Sequence, residues 1–125
     1  AEQDKRVLTL AMKAVQFKTG SSVLLPASRK ILNQVADILA RYPEYHLRIA
    51  GHTDSQGKAS SNLVLSQRRA KACLDYLLAA GADPGRMNYA GYGEEQPIAE
   101  NTTASGRLLN RRVEFILDIP QGEQQ

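Results

Sequence analysis

Four residues in the middle of the chain have the types and spacing to hold a small charged ligand. Asn62, Leu65 and Arg69 stand at i, i+3 and i+7, so a continuous helix from Asn62 puts them on one face while Arg68 points elsewhere. Asp54 closes the alternating segment before that helix and can face the same cleft. A carboxylate and a guanidinium held apart by a rigid scaffold match a zwitterionic amino-acid group, because Asp accepts from an ammonium and Arg clamps a carboxylate with two parallel hydrogen bonds. Spacing alone leaves a second reading equally open, in which Asp54 forms an ordinary ion pair with Arg68 or Arg69.

Other reactive residue types are read as structural. His52 and His46 are the two histidines, and neither has a nucleophile, acid or metal-ligand cluster at suitable spacing; His52 is expected to make a structural hydrogen bond and His46 to lie on a strand surface. Cys73 falls within an apolar helical stripe and is assigned to the core. Gly91-Tyr92-Gly93 lacks the third glycine and the lysine of nucleotide loops and is read as a strand-end turn. No metal, no cofactor and no catalytic group is expected.

The elements that must position these residues follow from periodicity. A first strand is expected within 7–17, ending near Phe17 before the turn-like Thr19-Gly20-Ser21-Ser22. Pro26 suits the first turn of a helix whose apolar positions Ile31, Val35, Ile38 and Leu39 recur until Tyr42-Pro43. Residues 46–53 alternate as a second strand, with Leu47 and Ile49 on one face and His46, Arg48 and His52 on the other. The second helix begins between Ser60 and Ser66, carries Ala70, Cys73, Leu74, Leu77 and Leu78 as a stripe to one side of the Asn62–Arg69 face, and closes at Gly81. Residues 86–92 and 111–119 supply two more strands, separated by a loop over 93–110 with a helical turn before Asn110. The order βαβαββ predicts an α/β (α+β) sandwich: a mixed parallel and antiparallel four-stranded sheet, two main helices packed against it, parallel neighbours from the strand-helix-strand units and final strands whose loop allows an antiparallel pair.

Composition bounds the possibilities. The 125 residues, 42% of them hydrophobic, suit a single domain over 1–125 with a core of about residues 7–119 and a frayed tail at 120–125. Sixteen basic against thirteen acidic residues give a net charge of +3 without a continuous basic block, and the aromatics form no paired strand motif, so no nucleic acid is expected as partner. A single cysteine excludes an internal disulfide. No apolar stretch is long enough to cross a bilayer, and the first residues lack the apolar core of a signal peptide.

Several motifs in order then resemble one family. Gly51-His52-Thr53-Asp54-Ser55-Gln56-Gly57, Asn62, Leu65-Ser66-Gln67-Arg68-Arg69-Ala70, Gly91-Tyr92-Gly93-Glu94, Pro97-Ile98-Ala99-Glu100-Asn101 and Asn110-Arg111-Arg112-Val113-Glu114 are similar to the successive motifs of the OmpA-like C-terminal domain family of OmpA, Pal and MotB. They span nearly the whole chain. The resemblance implies non-covalent binding of peptidoglycan through the diaminopimelate of its stem peptide. It also implies a periplasmic module, excised from a larger protein and attached through a missing upstream part: an outer-membrane barrel, a lipid anchor or an envelope complex such as a flagellar stator. By motif position Asp54 would hold a diaminopimelate ammonium and Arg69 its carboxylate; Asn62 and Leu65 would line the pocket; Phe17, Thr19 and Arg111 would contribute secondarily. Strand alternation sets Arg112 on the opposite face from Arg111, where a structural ion pair is expected. Many relatives carry an acidic residue directly after the phenylalanine, where this chain has Lys18. The resemblance implies a binding protein, and a wall hydrolase is the rival class.

Overall fold

The computed structural model describes residues 5–10, 17–18 and 20–120. Pro26 opens helix α1 (Pro26–Arg41), where its missing N–H costs nothing, and the helix stops before Pro43. Strand β2 (His46–Gly51) buries Leu47 and Ile49 and leaves His46 and Arg48 exposed, as alternation requires. Helix α2 (Ala59–Ala79) starts one residue before the expected window. Gly81, at a φ of 100°, ends it: the amides of Gly81 and Ala82 turn back onto the carbonyls of Leu78 and Leu77, a closure that requires the left-handed region.

After a single 3-10 turn at Pro84–Arg86, strand β3 (Met87–Gly91) and helix α3 (Ala104–Asn110) precede strand β4 (Val113–Pro120), with β1 at Lys5–Leu10. The seven-residue α3 is a full element where a helical turn was expected. The expected reach of the first strand to Phe17 falls partly on 11–16, outside the described residues, and Phe17 itself is not in a strand. Thr19 and the tail at 121–125 also lie outside the described residues.

The architecture is a mixed α/β one, and its sheet order is β1-β4-β2-β3. Among the described residues only β2 and β3 pair in parallel; β4 runs antiparallel to both β1 and β2. Two expectations are corrected here. The last two strands are not an antiparallel pair, and β1 is not the parallel neighbour of β2, because β4 returns across the sheet and inserts between them. Insertion gives the alternating apolar face of β4 (Val113, Phe115, Leu117) a central position in the core, beside Leu47 and Ile49. Leu32, Val35 and Leu39 of α1 and Ala70, Cys73 and Leu77 of α2 close that core. Burial pushes the Cys73 thiol up to about 12, so it packs as a small apolar group. Among the described residues no helix is long and apolar enough to cross a membrane.

The seating of α2 on the parallel pair positions everything that follows. A Cβ on Gly51 would collide with the backbone carbonyl of Ser66, and one on Gly91 with the backbone N of Gln67 and, at 2.5 Å, with Ser66 Oγ. Two glycines thus let the helix backbone lie directly on the strand ends, while Ser66 Oγ accepts from the Gly93 amide at 2.9 Å. Gly51→Ala should cost about 1 to 3 kcal/mol or more, since a main-chain carbonyl cannot swing aside as a side chain does. Urea unfolding measures it, and a midpoint equal to wild type would mean that α2 is not held so close.

Candidate functional site

Beyond the end of β2 the chain turns through Thr53 and Asp54 before α2 begins, and the first turns of α2 rise beside it. This is where parallel strand-helix units generally leave a crevice. A cavity of about 90 Å³ opens there, lined by Gly20, Thr53, Asp54, Gln56, Asn62, Leu65, Arg69 and Arg111. That volume is roughly the share of three waters in the liquid, room for a charged head group.

Asp54, Asn62, Leu65, Arg69 and Arg111 thus come together. Each is held differently. Asp54 is buried; its Oδ1 accepts from the Gln56 amide at 3.0 Å and its Oδ2 from Arg111 Nη1 at 2.8 Å. The expected alternative of an ion pair to Arg68 or Arg69 is therefore replaced by one to an arginine 57 positions away. Asn62 Nδ2 donates to the carbonyls of Asp54 and Gln56 and to Glu94 Oε1, at 3.3, 2.9 and 2.9 Å. Its amide shapes the turn that carries Asp54. Leu65 is half-buried on the cavity wall.

Arg69 departs most from expectation. Asn62 and Arg69 do not stand beside the buried stripe of α2 but belong to it, with Ser66, Ala70, Cys73 and Leu77. The Arg69 side chain is fully buried. Its Nε donates to Ser21 O, its Nη1 to His52 O and its Nη2 to Lys18 O, at 2.9, 3.0 and 3.1 Å. Phe17 lies beneath it, the guanidinium 5.0 Å from the ring centroid, a cation-π contact between two buried side chains. Burial first, and then the neighbouring Arg111, lowers Arg69 to about 10 against the pull of Asp54, so it remains charged at neutral pH. Three of its five N–H donors are spent and two remain.

Phe17 therefore supports Arg69 from below, and its carbonyl accepts from Arg111 Nε at 3.3 Å. Thr19 cannot be placed, being outside the described residues. Arg112 turns away from the cavity, pairs with Glu114 at 2.9 Å and caps Gln96 O, as expected of the second arginine. His52 corrects another expectation: it is buried, stacked on Tyr92, and neither ring nitrogen has a hydrogen-bond partner among the described residues, Glu114 standing 3.6 Å away. Burial, then the charge of Arg112, lowers it to about 4, so the ring is neutral.

Gln56, Thr53 and Gly20 line the cavity without having been singled out as site residues. Gln56 left one signal, its position two residues after Asp54, the spacing at which an Asp side chain closes a turn on a backbone amide. Among the described residues no group of three or more His, Cys, Asp or Glu is placed to hold a metal ion. A larger hollow of about 320 Å³, lined in part by His46, Arg48, Arg86 and Asp118, lies at the start of β2 and β3. Its Arg48–Asp118 pair is self-satisfied at 3.0 Å and partly exposed, which gives it little to offer a ligand.

Fold and cavity together define a small α/β scaffold that presents a recess of one carboxylate and two guanidiniums beyond a strand end. The chain belongs to the OmpA family, whose model matches residues 16–111. It is 44% identical over 100 residues to outer membrane porin F of Pseudomonas fluorescens, covering 80% of this chain and 31% of that protein. It is 40% identical over 104 residues to the peptidoglycan-binding protein ArfA of Mycobacterium tuberculosis, covering 83% of this chain and 32% of the relative. The crystal structure of the peptidoglycan-associated lipoprotein from Burkholderia pseudomallei superposes with a TM-score of 0.80 at 30% identity, over 82% of this chain and 87% of that one. The chain spans about a third of the length of porin F and ArfA.

Proposed function

We propose that this chain is a single wall-binding module that grips peptidoglycan without making or breaking a bond, and that it anchors an outer-membrane or other envelope protein from the periplasmic side. The observation that carries the reading is the convergence of Asp54, Arg69 and Arg111 on one small cavity. A carboxylate and two guanidiniums lining one recess suit a zwitterion, and the diaminopimelate of the stem peptide presents one. Asp54 receives the ammonium; the free N–H groups of Arg69 and the guanidinium of Arg111 receive the carboxylate; Leu65 packs on the stem's methylenes. The names of ArfA and the Burkholderia lipoprotein, both describing peptidoglycan association, support the same partner.

Each charge-assisted contact contributes roughly 1.5 to 3 kcal/mol, so one stem binds modestly and firm anchoring comes from many copies on a polymeric wall. Co-sedimentation with insoluble peptidoglycan tests the reading. Asp54→Asn keeps the shape that meets the Gln56 amide but removes the charge, and should weaken binding roughly ten- to a hundredfold while the fold persists. Undiminished sedimentation of that variant would remove Asp54 from the site. Release of soluble wall fragments on long incubation would favour a hydrolase instead.

A further inference from the structure

The carboxylate proposed to receive an ammonium is paired with a guanidinium in this structure. Asp54 Oδ2 accepts from Arg111 Nη1 at 2.8 Å, and the two side chains are 5% and 15% exposed. An incoming ammonium competes with that guanidinium for Asp54, and one that takes the Oδ2 face displaces it. Arg111 then keeps only its Nε contact to Phe17 O at 3.3 Å, and a partly buried cation without a counter-ion is costly. A ligand that brings a carboxylate beside its ammonium removes the cost, because the carboxylate replaces Asp54 as the partner of Arg111. Arg69 has no part in this exchange, because its hydrogen bonds among the described residues go to three carbonyls and none to Asp54.

The charge count agrees. One acidic and two basic side chains line the cavity, so a bare amine adds a positive charge to a recess that is already positive, whereas a zwitterion adds none.

We propose that Arg111 is a specificity-determining residue that acts by ion exchange: the Asp54–Arg111 pair excludes plain amines and opens only for a head group carrying both charges. The inference rests on the wall-stem reading of this cavity and deepens it. It gives the site a means of telling a stem residue that ends in a zwitterion from one that ends in a bare amine.

The test compares meso-diaminopimelate with cadaverine, the same carbon chain stripped of both carboxylates, by NMR titration followed at the Gln56 and Asn62 amides. Wild type should bind diaminopimelate at least about tenfold more tightly. Arg111→Gln should raise cadaverine affinity about tenfold and shrink the gap to within about threefold, whereas Arg111→Lys, still able to pair with Asp54, should keep the amine out. A second measurement needs no variant: acetate supplies a separate counter-ion for Arg111, so it should tighten cadaverine binding to wild type more than chloride does at equal ionic strength, and cadaverine should tighten acetate by the same factor. Loss of affinity for both probes in equal proportion in Arg111→Gln, or an acetate effect no larger than that of chloride, overturns the exchange while leaving the site in place. Failure of diaminopimelate to move either amide in wild type overturns the site reading and the exchange with it.

Discussion

Arg69→Ala is expected to destabilise the protein by about 3 to 5 kcal/mol, the range for removing one partner of a buried charged network. The guanidinium joins three separate pieces of chain: Lys18 and Ser21 before α1, His52 at the end of β2, and α2 itself. Truncation leaves three carbonyls without their donor, opens a void over Phe17 and removes the cation-π contact. Arg69→Lys keeps the charge but cannot span three acceptors with one ammonium, so it should recover only part of the loss. Urea unfolding followed by circular dichroism gives both values. A loss below about 1 kcal/mol for the alanine variant would mean that water readily replaces the guanidinium and that Arg69 is free to turn wholly to a ligand. The expected result bears on function as well, since wall binding lost in Arg69→Ala would report unfolding as much as recognition. Asp54→Asn is the cleaner probe of the site.

The burial of Arg69 also marks where sequence reasoning reached its limit. Helical spacing correctly placed Asn62, Leu65 and Arg69 near one another and near Asp54, because i, i+3 and i+7 share a face whatever that face meets. It could not say which way the face turned, and an arginine at that position reads as a rim residue when only hydrophobicity marks the core. Three backbone carbonyls and a phenylalanine ring make the interior habitable for it, and none of these is visible as a pattern. Local signals fared better: Pro26 and Pro43 bracket α1, Gly81 closes α2, and alternation in β2 and β4 identifies their core faces. Long-range pairing did not follow from them. The insertion of β4 between β1 and β2, and the Asp54–Arg111 pair that depends on it, join segments whose partners are chosen by tertiary packing. His52 was misread for a related reason: alternation assigned it to the exposed face with His46 and Arg48, but it lies beyond the end of β2, where Tyr92 covers it.

That covered histidine should make the fold acid-sensitive. The native state holds His52 near 4, through burial first and the charge of Arg112 second, with Glu114 pulling only partly the other way; the unfolded chain takes up the proton near 6.5. Between those values the unfolded state binds more protons, so stability falls as pH drops from about 6.5 toward 4 and is fully retained above that window. At 1.36 kcal/mol per pKa unit the loss approaches about 3 kcal/mol. His52→Phe keeps a ring against Tyr92 and removes the proton site, so its urea midpoint should fall less than that of wild type between pH 7 and pH 4.5. Equal losses in the two proteins would place the acid-sensitive group elsewhere. His52 meets the cavity residues through its backbone: the carbonyl of His52 accepts from Arg69 Nη1, and its amide donates to the carbonyl of Arg112, next in sequence to Arg111. The native ring stays neutral down to about pH 4, so binding by the folded protein should not change through His52 across the window in which stability falls.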